Sequence, residues 1–172
     1  MSYYVDDHRV PPKSRAEIRR LANTIRTLSG VRYDAPFPIM RFVELVLPKM
    51  FPGFAIEVLP MSEMGNKHGE TLPDRHIMRI REDIYERACR GEGRDRLTVA
   101  HEVGHLLMHS GLTVAMARNV SDYPAYESSE WQANAFAGEL LIPHDAVVEM
   151  RPREVAVRYK VSESAAAKQL RS

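Results

Sequence analysis

Apolar residues recur every three or four positions in several stretches of the chain, and those stretches predict its helices. In "PPKSRAEIRRLANTIRTLSG", Ile18, Leu21, Ile25 and Leu28 share one face, Ser14 stands as an N-cap with Glu17 three residues on, and Gly30 ends the run. In "FPIMRFVELVLPKMF", Met40, Val43, Leu47 and Met50 fall on one face with a proline near each end, which predicts a second, packing helix. "FAIEVLP" and "HIMRI" alternate in part and are bounded by Pro, Gly and charged residues, the pattern of two short strands. The polar loop "MSEMGNKHGETLPDR" separates them, so a hairpin-like pair in a small sheet is expected. "REDIYERACRGEGRDR" predicts a short helix closed by Gly91 and Gly93. "SSEWQANAFAGELLIP" predicts a longer one capped by Ser128 or Ser129 and ended by Pro143.

Between these two lies "RLTVAHEVGHLLMH", a helix with Asp95 as its expected N-cap and an apolar stripe of Leu97, Ala100, Gly104 and Met108. Its polar residues His101, Glu102 and His105 fit within an arc of about 100° and can face one cleft. Two imidazoles one turn apart can bind one zinc ion, with the intervening glutamate placed to hold and deprotonate a water; this is the H-E-x-x-H arrangement. Mid-helix Gly104 fits a place where another chain segment approaches closely. A catalytic zinc site needs a third protein ligand. His109 is about 12 Å from His101 along the axis, too far to join it, and is expected to be a hydrogen-bonded residue near the helix end. Glu130 is the leading candidate, with Asn134 one turn on and able to orient a ligand histidine; Glu127 is the alternative, and Glu139 lies too far round the helix.

Composition narrows the class without naming a partner. The 172 residues are 44% hydrophobic and 27% charged with a net charge of +1, so one compact domain is expected and no global attraction to nucleic acid or acidic lipid. The single cysteine, Cys89, reads as a small buried residue. The opening "MSYYVDDHRV" lacks a signal-peptide pattern and no apolar run is long enough to span a membrane, so the expected location is the cytoplasm. Arg75, Arg79, Arg81, Arg87, Arg90, Arg94 and Arg96 alternate with acids and read as a solvated face; His68 and His76 are isolated and receive no metal role. "REVAVRYKVSESAAAKQLRS" reads as helix, turn, helix, with Val155, Val157 and Val161 apolar and Ser162 capping the second helix. Its basic residues are Arg153, Arg158, Lys160, Lys168 and Arg171, but the third helix of a DNA-binding module is missing. Packing or partner docking is therefore expected rather than direct DNA contact.

"RDRLTVAHEVGHLLMH" followed by "SSEWQANAFAGELLIP" resembles the ImmA/IrrE family of zinc-dependent endopeptidases, most clearly between Ile77 and Pro143. The resemblance implies an α+β fold: a compact zincin-like domain over 1–172, mostly helical with a small sheet. Its parts would be N-terminal helices over 1–50, a zincin core over 51–150 and a helix-turn-helix-like segment over 151–172. It implies one Zn2+ per chain held by His101, His105 and Glu130, with Glu102 as general base; two histidines and one glutamate favour zinc over manganese or iron. It also implies hydrolysis of a specific cytoplasmic protein, a helix-turn-helix repressor or antitoxin-like partner, in control of phage, mobile-element or stress genes. The rival expectation is a non-catalytic regulator or toxin–antitoxin component that acts by binding a partner. Tyr123 and Tyr126 are placed in sequence to reach the cleft and donate to an oxyanion, whereas Trp131 is expected to pack. The loop at 110–127, or partner docking, is expected to restrict the substrate range.

Overall fold

The computed structural model describes residues 7–112 and 123–172. Helix α1 (Arg15–Leu28) starts on the expected capping box: the Ser14 hydroxyl accepts from the Glu17 amide, and the Glu17 carboxylate accepts from the Ser14 amide at 2.7 Å. Its core face is Ile18, Ala22 and Ile25. Leu28 leaves that face and is 79% exposed, while the buried place in the last turn goes to Arg26.

The second predicted helix is interrupted. It runs as α2 (Ile39–Arg41), a wide π turn at Phe42–Val46, and α3 (Leu47–Met50). Pro48 has no amide to donate, and its ring would strike the carbonyl four residues back; the wide turn upstream relieves both problems. It also rotates the helix, burying Ile39, Phe42, Val43 and Leu47 and leaving Met50, expected inside, 43% exposed.

The sheet corrects the hairpin expectation. β1 (Ala55–Leu59) runs parallel to β3 (Ile77–Arg81), and a third strand, β2 (Gly69–Leu72), pairs antiparallel on the far side of β3, giving the order β1-β3-β2. The supposed loop therefore holds a short helix, α4 (Met61–Met64), and an edge strand, and this long connection brings β3 back in the direction of β1. Register is fixed from both faces. Met78 and Ile80 are fully buried on one face, while on the other Arg79 sits between its direct cross-strand partners Glu57 and Glu70 at 2.7 and 3.4 Å.

After α5 (Glu82–Cys89) comes the long helix α6 (Gly93–His109), which begins earlier than expected. Glu92 is its N-cap residue, and Asp95, expected there, lies in the first turn, 5% exposed and paired with Arg87 at 2.9 Å. Burial extends beyond the predicted stripe to Val99, Val103 and Leu106. α7 (Ser129–Leu141) is capped by the Ser128 hydroxyl as expected, and α8 (Pro152–Tyr159) and α9 (Glu163–Leu170) form the helix-turn-helix-like end with Ser162 as cap. That end is seated on the start of α6: a Cβ on Gly93 would lie 2.6 Å from the Val161 main chain.

Arg96, expected on a solvated face, is 5% exposed and donates to the carbonyls of Phe37 at 2.6 Å, Tyr159 at 2.8 Å, and Lys160. Arg81 of the same set is also buried, against Asp83 and the Gly65 carbonyl. Conversely Cys89, expected inside, is exposed, as is Val157 at 77%. The architecture is α+β, mostly helical with a small mixed sheet. No helix among the described residues is long and apolar enough to cross a membrane.

Candidate metal centre

Small residues bring two helices into contact where the chemistry lies. A Cβ on Gly104 of α6 would sit 3.1 Å from the Phe136 ring, 3.2 Å from Ala133 Cα and 3.3 Å from its carbonyl oxygen, so this crossing is close because Gly104 has no side chain. His101 lies three residues before Gly104 and His105 one after; Glu130 lies three before Ala133 and Asn134 one after. The close crossing therefore turns all four toward one another.

His101 Nε2 and His105 Nε2 are 3.0 Å apart, and the two oxygens of Glu130 lie 3.1 Å from His101 Nε2 and 2.9 Å from His105 Nε2. Among the described residues this is the group of three whose ligand atoms could all meet one metal ion. The ring nitrogens facing away fix which atoms are free. His101 Nδ1 donates to Asn134 Oδ1 at 3.1 Å, so its neutral form keeps a lone pair on Nε2. For His105 the chain of contacts is longer. Gln132 Nε2 donates to the carbonyls of Pro11 and Tyr126 at 2.9 and 2.8 Å, which leaves Gln132 Oε1 to accept from His109 Nε2 at 3.1 Å. A neutral His109 protonated there can only accept at Nδ1, so His105 Nδ1 donates to it at 3.1 Å and His105 Nε2 is the lone-pair atom.

Three acceptors thus converge with no donor of their own, a set that fits a cation. Their spacing is a few tenths of an ångström tighter than the roughly 3.3 Å between donor atoms around a tetrahedral zinc. Electrostatics points the same way. Burial pushes the Glu130 carboxyl up, but a proton on His101 or His105 can take the cation's place, and the hydrogen bonds made through it outweigh burial and hold the group well below the usual carboxylate range. Burial likewise opposes charge on His101, yet the bond to Glu130 and the charges of Glu102 and Glu130 raise its proton affinity. His109 is 4% exposed, and burial pushes its pKa down to about 4, which keeps it neutral.

A family model for M78 peptidases, described as the IrrE N-terminal-like domain, matches residues 53–171, well over half the chain. The chain belongs to that family. No curated protein matches it. Its fold resembles that of a solved Mycobacterium tuberculosis transcriptional regulator, with 15% sequence identity, a TM-score of 0.57 and 91% of this chain covered. The chain spans 47% of that regulator's length.

The other candidates separate clearly in this family member. Glu102, beside the ligand set on α6, is 6% exposed, and its carboxylate accepts from Thr71 Oγ1 at 2.6 Å. Asn134 contacts His101, and His109 contacts His105. Glu127 pairs with Arg9 at 2.5 Å and Glu139 is buried between Arg15 and Arg19, so neither joins the ligands. The Tyr123 hydroxyl lies near Asp7 and Glu130, where burial first and then the Asp7 carboxylate push its pKa up to about 12. Tyr126 is 48% exposed and enters the network through its carbonyl rather than its hydroxyl. Trp131 packs against the core. Of the loop expected to restrict substrates, residues 113–122 lie outside the described residues.

Three contributors were not foreseen. Gln132 fixes His105 through His109. Asp7 accepts from the Ser128 and Ser129 hydroxyls and from the Glu130 amide, pinning the ligand-bearing turn. Thr71 comes from the unpredicted strand. Only Gln132 left a trace in the sequence: a large polar residue between Trp131 and Ala133 on an alanine-rich helix.

Proposed function

We propose that the protein is a zinc-dependent endopeptidase. The convergence on one point of a carboxylate and two imidazole lone pairs, each ring aimed from behind by a hydrogen-bonded partner, carries this reading. A zinc ion held by His101, His105 and Glu130 would supply the Lewis acidity that activates a water and polarises the scissile carbonyl. Glu102 takes the proton from the attacking water as its oxygen bonds to the carbonyl carbon. It then delivers that proton to the amine nitrogen as the C–N bond breaks. Asn134 and His109 keep the imidazoles oriented, and Asp7 keeps the turn bearing Glu130 in place.

The proposed substrate is a specific protein, a helix-turn-helix repressor or antitoxin-like partner, cleaved in the cytoplasm. The test compares new protein N-termini in cells expressing the wild-type chain or Glu102→Gln. Cleavage of one or a few regulators in the wild type only is the expected result; identical N-termini in the two would overturn hydrolysis as the function. A second reading, regulation by partner binding, draws support from the shared fold with a transcriptional regulator. It requires Glu102→Gln to keep the full biological effect.

A further inference from the structure

We infer that Thr71 and Gly69 of the edge strand β2 are positioning residues for the Glu102 carboxylate. This rests on the reading of Glu102 as general base. Residues 69 and 71 are two apart on a strand, so both face the same side, toward α6. Thr71 Oγ1 lies 2.6 Å from Glu102 Oε2 and 3.1 Å from the Glu102 carbonyl oxygen. The hydroxyl has one proton, and the nearer, charged oxygen takes it, as the short distance of a charge-assisted bond indicates.

Gly69 does the steric part. A Cβ there would lie 2.8 Å from Glu102 Cγ, 2.9 Å from Oε1 and 3.0 Å from Cδ, so the carboxylate occupies the space that any side chain at 69 would fill. Thr71 holds Oε2, which leaves Oε1 as the oxygen to receive a proton. The register of β2 therefore matters to the chemistry as well as to the sheet. Gly69 pairs with Ile80 and Thr71 with Met78, and the Glu70–Arg79 contact on the outer face locks that alignment. A slip of one residue would turn Glu70 toward Glu102, placing two carboxylates against each other.

The test uses acetohydroxamate, a small zinc-binding probe whose hydroxyl proton passes to the neighbouring carboxylate on binding, with the zinc-loaded full chain. Zinc content is measured in parallel to show that each variant keeps its metal. Thr71→Val is expected to weaken binding about tenfold with zinc retained, and Thr71→Ser to restore it to within about twofold of wild type. Gly69→Ala is expected to weaken binding as Thr71→Val does. Unchanged binding in Thr71→Val, while Glu102→Gln weakens it, would overturn the positioning role alone. Unchanged binding in Glu102→Gln would overturn the general-base reading and this inference with it.

Discussion

Arg26 and Arg96 lie deep in the fold and direct their guanidinium donors at main-chain carbonyls, whereas His101, His105 and Glu130 turn acceptors toward one another. Arg26 reaches the carbonyls of Leu140, Arg32 and Ala35, and Arg96 those of Phe37, Tyr159 and Lys160. In those clusters each carbonyl meets a donor, which ties distant segments together. In the histidine cluster the donors, Nδ1 of each ring, are used on the outside by Asn134 and His109, and only lone pairs face inward. The first arrangement satisfies its carbonyls from within the protein and ties the fold together; the second is complete only with a cation or a proton.

Substitutions should separate the two roles. The largest effect is expected for His101→Ala, which should lose stoichiometric zinc while changing the stability of the metal-free chain by no more than about 1 kcal/mol. Zinc content and chemical denaturation in chelator check the two halves. Arg96→Met should do the reverse. It takes the guanidinium donors away from the carbonyls of Phe37, Tyr159 and Lys160 and should cost about 3 to 5 kcal/mol in denaturant unfolding, with zinc still bound by the folded fraction.

The next contrast is in pH. His109 has a folded pKa near 4, below its ordinary value, so the unfolded chain takes up a proton before the folded one does as pH falls. Its contribution is fully present above about pH 6.5 and is lost as pH drops toward 4, up to about 3 kcal/mol in the metal-free protein. Denaturation across that window should show a shallower fall in His109→Gln; equal slopes would remove His109 from the account. The smallest effect is expected for Asn134→Ala, which frees the His101 ring and should weaken zinc binding about 10- to 100-fold in a metal-buffer titration.

The histidine pair and Glu102 were legible because their relation is local: three residues on five consecutive positions of one helix share a face whatever surrounds them. Glu130 was legible once α7 was recognised, since a ligand there has a partner, Asn134, one turn away. The strand β2 was not. Its inward positions are Gly69 and Thr71, chosen to fit Glu102 rather than to bury apolar surface, so the alternation that marks a strand is missing. The parallel pairing of β1 and β3 followed from what that hidden strand and α4 do to the path between them. Arg96 was misread because its partners are carbonyls far along the chain, which leave no side-chain signature, and the surrounding acids suggested a solvated face. The face of the second helix was misplaced because Pro48 acts on the turn before it, shifting a period that pattern alone assumes to be constant.

The central claim is that three converging acceptors exist to hold a metal ion. Elemental mass spectrometry on protein purified without chelators, beside His101→Ala and Glu130→Ala, tests it most directly. About one zinc per chain in the wild type, absent from both variants, is the expected result. A wild-type chain that remains metal-free after zinc is added back would contradict it.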